Sequence, residues 1–232
     1  MSNDTPIAEF PALETTDLTK SYGERVAVDG MNLSIERGEL VALVGSNGAG
    51  KSTLLQLAAG LLDPTSGSVT IEGAAAGSLA ARGLVSFIPD QPSLYDDLSV
   101  NEHIEYVARL HGLDGRPDTA DELLELLELD ARADDLPARF SRGLRQKTSV
   151  LLGLVRPFAV LLVDEPFVGL DPSGQRTLVE LVEGAVAAGA AVLLATHQLT
   201  FLDRATRCIA LSDGRVAYSG PVDRAVIADL LE

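Results

Sequence analysis

The 232-residue chain predicts an α/β fold: a mostly parallel sheet core with an N-terminal antiparallel β region and an inserted α-helical subdomain. Three observations predict it. Short apolar runs bounded by turn signals recur at residues 40–44, 159–163 and 191–196, the pattern of strands buried on both faces. Helical patterns at 51–59, 173–188 and 199–204 alternate with them. Between residue 100 and about residue 154 a period of 3.6 takes over, so an all-helical stretch interrupts the β/α alternation.

Taken in order, residues 12–20, 26–28 and 31–35 read as short strands, followed by a turn at Glu36-Arg-Gly-Glu39 and the buried strand 40–44. A glycine-rich turn leads into helix 51–59, which Gly60 stops, and strands follow at 68–72 and 84–88. Helices are expected at 101–111, 119–129 and 143–154, the second carrying leucines 123, 124, 126, 127 and 129 on an amphipathic face. His103 and His111 are read as surface residues of this insert. Strands return at 159–163, 191–196 and 208–211. Neither an internal repeat nor a low-complexity tail is present.

With 46% hydrophobic and 22% charged residues, the composition excludes a disordered, collagen-like or coiled-coil chain. The 34 acidic and 18 basic residues give a net charge of −16, which repels a polyphosphate backbone at long range. Nucleic-acid binding across the surface is therefore disfavoured, whereas a local site for one nucleotide is not. The lone Cys208 excludes an intramolecular disulfide and a cysteine-built zinc site; its strand-like setting marks it as a small buried hydrophobe. No leader is readable in residues 1–6, and no charge-free apolar run reaches the ~18–20 residues that span a bilayer. A soluble, intracellular chain is expected, able to dock on a membrane protein.

Gly45-Ser46-Asn47-Gly48-Ala49-Gly50-Lys51-Ser52, followed by Thr53, is a full match to the phosphate-loop pattern, placed between a buried strand and a helix. Its glycines let successive backbone N–H groups turn toward one anion, and the helix adds the positive end of its dipole. Lys51 then reaches the β- and γ-phosphates and the Ser52 hydroxyl can ligate Mg²⁺. Such a site needs a carboxylate for the metal at the end of another buried strand. Asp164, closing Val160-Leu-Leu-Val163, supplies it. Glu165 stands one residue further, where it can hold a water for in-line attack. His197 closes strand 191–196 at the same sheet edge, where it can hydrogen-bond a γ-phosphate.

These pieces, in this order, resemble the nucleotide-binding subunit of ATP-binding cassette (ABC) transporters over residues 13–218. The resemblance implies a P-loop NTPase with a RecA-like core: a single ABC ATPase domain at 12–232, with the ATP-binding α/β core at 12–90 and 158–232 and a helical signature subdomain at 91–157. It implies that Tyr22, in Ser21-Tyr22-Gly23, stacks on adenine, and that Asp171, in Gly169-Leu-Asp171-Pro, lies on a loop crossing a dimer interface. The family's signature peptide, usually Leu-Ser-Gly-Gly-Gln, appears as Phe140-Ser141-Arg142-Gly143-Leu144. Ser141 and Gly143 are kept and would cap the γ-phosphate of ATP held by the other subunit; Arg142 is expected to alter the rate. In the hinge loop, Phe87-Ile-Pro-Asp90-Gln91-Pro-Ser-Leu-Tyr95, either Asp90 or Gln91 takes the place of the family's metal-ligating Gln.

The expected activity is therefore ATP hydrolysis with ATP and Mg²⁺, by two subunits joined around two MgATP and driving a separate integral membrane permease, with no nucleic-acid partner. The place implied is the cytoplasm, peripheral on the inner face of the cell membrane. The hinge-loop wording and the Ser-Arg-Gly-Leu-Arg-Gln stretch are most similar to ATPases of ABC-2-like exporters. Two alternatives remain: a soluble ATPase of this family acting in translation or on DNA, and an ATP-regulated binding module. The single cassette, the short insert and the charge of −16 weigh against the first.

Overall fold

The structure, a computed structural model, describes residues 10–225 and 227. The reading of residues 1–6 and the last residues of the expected domain lie outside the described residues. In chain order the elements are β1 (Leu13–Tyr22), β2 (Arg25–Ile35), β3 (Leu40–Gly45), α1 (Lys51–Ala58), β4 (Ser66–Ile71), β5 (Ala74–Ala75), α2 (Leu79–Leu84), β6 (Val85–Ile88), α3 (Val100–Leu110), α4 (Ala120–Leu126), α5 (Arg142–Leu154), β7 (Val160–Asp164), α6 (Pro172–Ala187), β8 (Ala191–Ala195), α7 (Leu199–Leu202), β9 (Arg207–Ser212) and β10 (Arg215–Gly220).

Two sheets form. The smaller is antiparallel, in the order β2-β1-β4-β5. The larger runs β10-β9-β3-β8-β7-β6; β9, β3, β8, β7 and β6 are parallel, and only β10 joins antiparallel. The apolar runs follow from this layering. A strand covered on both faces sends alternate side chains into two cores. On β7, Val160 and Leu162 enter the core shared with α1 and the small sheet, while Leu161 and Val163 enter the core under α3, α5 and α6. On β8, Leu193 and Leu194 divide in the same way.

Strand order decides where chemistry is placed. β3, β8, β7 and β6 are consecutive neighbours, so their carboxyl ends deliver the glycine-rich turn, Thr196-His197, Asp164-Glu165 and the segment leading to Asp90 to one edge of the sheet. The ladder continues past the strands: Thr196 N–H donates to the Leu43 carbonyl (3.1 Å) and Glu165 N–H to that of Ala195 (2.9 Å).

The antiparallel sheet and its strap fix the turn from the other side. Gly50 has φ +105°, and a Cβ there would stand 2.3 Å from the Ala27 carbonyl oxygen of β2. Gly214 N–H donates to the Ala49 carbonyl (3.1 Å), and Asp29 N–H to that of Gly214 (2.9 Å). Only a residue without a side chain satisfies both the dihedral and the contact.

Some local expectations change. The two strands expected at 26–28 and 31–35 are one, β2, whose register against β1 shifts near Gly30. Gly30 N–H donates to Thr19 Oγ1 (3.0 Å) and Asn32 Nδ2 to Asp17 Oδ1 (2.9 Å), so side chains carry pairing across the irregularity. The helix expected to reach residue 129 ends at Leu126, with Glu128 at φ +57° just beyond. Elements α2, β5 and β10 went unread. His103, read as a surface residue, is 3% exposed: its Nδ1 meets the Ser99 carbonyl (2.8 Å) and its Nε2 accepts from Tyr95 N–H (2.9 Å). Both ring nitrogens bond locally, tying the loop before α3 to its first turn. His111 is exposed.

Cys208 is buried beside Ala42, Val44 and Leu202, and burial pushes its thiol up to about 11. It should therefore resist a thiol-specific reagent at neutral and mildly alkaline pH and react fully once denatured; rapid native-state labelling would contradict that packing. Gly50→Ala should destabilise the fold by about 1–3 kcal/mol in a urea melt and lower nucleotide affinity.

Candidate active site

The sheet edge opens into a cleft of about 410 Å³ lined by Tyr22, Arg25, Asn47, Gly48, Gly50, Lys51, Ser52, Thr53, Asp90, Asp164 and Glu165 together with Ala27. Ten of these twelve are nucleotide, metal or catalytic candidates of the sequence reading; Arg25 and Ala27 are the two it did not name.

The loop at residues 45–50 leaves β3 and enters α1 at Lys51, its first helical residue. The Lys51 ammonium, 7% exposed, donates to the carbonyls of Gly45 (2.7 Å) and Ser46 (3.3 Å) and lies 4.0 Å from Glu165 Oε1. Gly50, Lys51 and Ser52 line the cleft, so the start of α1 brings the positive end of its dipole to it. The geometry is that of an anion cradle with one buried cation.

Asp164 closes β7 at 4% exposure. Burial pushes its carboxyl above the usual carboxylate range; the Ser52 hydroxyl and the Lys51 ammonium act in the opposite direction, and Glu165 and Asp90 reinforce the upward shift. Its Oδ1 is buried and has no hydrogen-bond partner. A buried carboxylate oxygen left without a donor, beside a serine hydroxyl and two further acids, suits a hard divalent cation with oxygen ligands. The donor set therefore fits Mg²⁺, which Ser52 and Asp164 would hold. Among the described residues, no group of three or more His, Cys, Asp or Glu forms a separate metal cage.

Glu165 adopts φ +44°, uncommon for a residue with a side chain. Its Oε2 accepts from the His197 backbone N–H (3.3 Å) and lies 2.8 Å from His197 Nδ1. One oxygen is thus oriented by His197 while the other faces Lys51. His197 itself is 65% exposed in its side chain, at the mouth of the cleft rather than in its lining.

Tyr22 ends β1, half exposed, with Lys20 Nζ 5.3 Å from its ring centroid. In the hinge loop Asp90 lines the cleft, while Gln91 is exposed and does not. Ser141, Gly143 and Asp171 lie elsewhere, in a second surface patch. Ser141 caps α5, its Oγ accepting from Leu144 N–H (3.3 Å), and Asp171 caps α6, accepting from Gly174 N–H (3.1 Å). A Cβ on Gly143 would stand 2.6 Å from the Gly169 carbonyl oxygen, so the two peptides press together. Gly45, Ser46 and Ala49 are not among the lining residues, although the Gly45 and Ser46 carbonyls hold the Lys51 ammonium.

Sequence reasoning missed Arg25. Its signal was the hairpin itself: a two-residue Gly23-Glu24 turn makes Tyr22 and Arg25 direct cross-strand partners, so a residue beside the proposed adenine platform shares its cleft.

Known proteins resemble this chain over most of its length. The family model described as ABC transporter matches residues 28–168. The ABC-type transporter ATP-binding protein EcsA of Bacillus subtilis is 34% identical over 215 residues, covering 90% of this chain and 86% of the relative. The SkfA peptide export ATP-binding protein SkfE of the same organism is 34% identical over 208 residues, covering 88% and 87%. A methionine import ATP-binding protein of Brucella abortus is 33% identical over 227 residues, covering 94% of this chain and 62% of the relative. A solved dimeric ATP-binding cassette in a post-hydrolysis state, bound to ADP and Pi, superimposes with a TM-score of 0.83 at 26% identity, covering 91% of this chain and 99% of that one. The chain belongs to the ABC transporter family, as an ATP-binding and ATP-hydrolysing cassette.

Proposed function

We propose that this chain is the ATPase subunit of an exporter, working as a pair of cassettes around two MgATP and moving a separate membrane permease. The observation that carries the reading is the placement of Glu165, oriented by His197 at 2.8 Å and facing Lys51 at 4.0 Å across the phosphate cradle. Tyr22 would take the adenine, residues 45–53 would wrap the phosphates, and Ser52 and Asp164 would hold Mg²⁺, with Asp90 rather than Gln91 lining the cleft. When bound, the metal neutralises charge on the β- and γ-phosphate oxygens.

Glu165 accepts a proton from a water whose oxygen bonds to the γ-phosphorus, while the bond to the β–γ bridging oxygen breaks and ADP leaves with that oxygen. Lys51 and His197 stabilise the charge that develops on the transferred group. Ser141, Gly143 and Asp171 lie outside the chain's own cleft, as groups serving a second subunit's nucleotide must; the dimeric form of the solved relative supports this pairing.

The single domain spans 12–232, the core segments 12–90 and 158–232 enclosing the helical insert at 91–157. The exposed Tyr95 and Tyr106, edge to face at 5.3 Å with hydroxyls 3.3 Å apart, and the exposed Leu110 offer the permease an apolar surface on that insert. Among the described residues no helix is long and apolar enough to cross a membrane, which suits a subunit held at the cytoplasmic face by its permease. The hinge-loop wording and the peptide-export name of one relative support the outward direction.

Glu165→Gln should lower phosphate release by ~100-fold or more while ATP-dependent dimers accumulate in gel filtration; near-normal hydrolysis would exclude Glu165 as the base. His197→Ala should slow turnover with little change in ATP affinity, read from steady-state kinetics.

A further inference from the structure

We infer that Arg25 is a further phosphate-binding residue of the nucleotide cleft, an inference that rests on the ATP-binding reading of that cleft. Its position is fixed by the fold. Arg25 opens β2 as the register partner of Tyr22, and two residues later the Ala27 carbonyl packs against Gly50 of the phosphate loop. Hairpin and loop are therefore held to each other, and Arg25 Nη2 lies 3.3 Å from where a Cβ would stand on Gly48. The guanidinium rests over the turn of the phosphate loop.

Its bonding is equally informative. In this acidic chain arginines such as Arg37, Arg116, Arg207 and Arg215 each pair with a carboxylate. Among the described residues the Arg25 guanidinium has no hydrogen bond or ion pair, although Asp90, Asp164 and Glu165 line the same cleft. The other cleft cation, Lys51, already bonds two carbonyls and faces Glu165. Arg25 thus keeps all its donors for a ligand. A planar guanidinium with five N–H donors fits phosphate oxygens in pairs, and beside Tyr22 it meets the polyphosphate where it leaves the nucleoside.

The test measures equilibrium binding of MgATP, MgADP and adenosine to the purified full chain, as wild type, Arg25→Ala, Arg25→Lys and Arg82→Ala. Arg82, exposed on α2 and away from the cleft, controls for removing one charge anywhere. Arg25→Ala should weaken MgATP and MgADP about tenfold and leave adenosine unchanged. Arg25→Lys should recover part of the loss, and Arg82→Ala should bind as wild type does. Because the Arg25 side chain makes no internal bond, its alanine variant should melt with the wild-type profile. MgATP affinity within about twofold of wild type in Arg25→Ala, an equal loss for adenosine, or the same loss in Arg82→Ala would each overturn the inference. Failure of the wild type to bind MgATP would instead overturn the function proposed above.

Discussion

The site depends on one close approach: the backbone of Gly50 against the Ala27 carbonyl of β2. That contact lets the loop after β3 turn its amides into a shared cradle and seats Lys51 at the first turn of α1. It also joins the antiparallel sheet, which carries Tyr22 and Arg25, to the parallel sheet, which carries the acids. Four neighbouring strands, β3, β8, β7 and β6, then place their carboxyl ends in a row. Without that order the loop, His197, the Asp164-Glu165 pair and Asp90 would be scattered along the chain and in space alike.

Electrostatics supports this edge as the proposed nucleotide site in a protein whose net charge is −16. Three acids and two cations line the cleft, and one acid oxygen, on Asp164, is buried without a donor. Such an arrangement is unfavourable alone and becomes balanced when a divalent cation and a polyphosphate enter together. Steering by the whole surface is repulsive for an anion, so recognition falls to short-range contacts inside the cleft.

Much of this was legible in the sequence because the residues concerned are forced by geometry. The runs at 40–44, 159–163 and 191–196 could be read as buried strands since both faces of β3, β7 and β8 are covered. The phosphate loop, Asp164, Glu165 and His197 each sit immediately after such a strand, so finding the strand finds the residue. What went unread depends on partners distant in sequence. His103 is buried by bonds to Ser99 and Tyr95 that helical spacing does not reveal. Arg25 belongs to the cleft through hairpin register, and β10 forms by pairing with β9 although its own sequence is half exposed. Which of Asp90 and Gln91 lines the cleft depends on the path of the hinge, which spacing alone leaves open.

The central claim, that this sheet edge binds a nucleotide's terminal phosphates and splits them with water, is tested most directly by turnover of MgATP in heavy-oxygen water with mass analysis of both products. The account predicts that the label enters inorganic phosphate and is absent from ADP. Label in ADP, or no phosphate release under conditions where MgATP is bound, would contradict it.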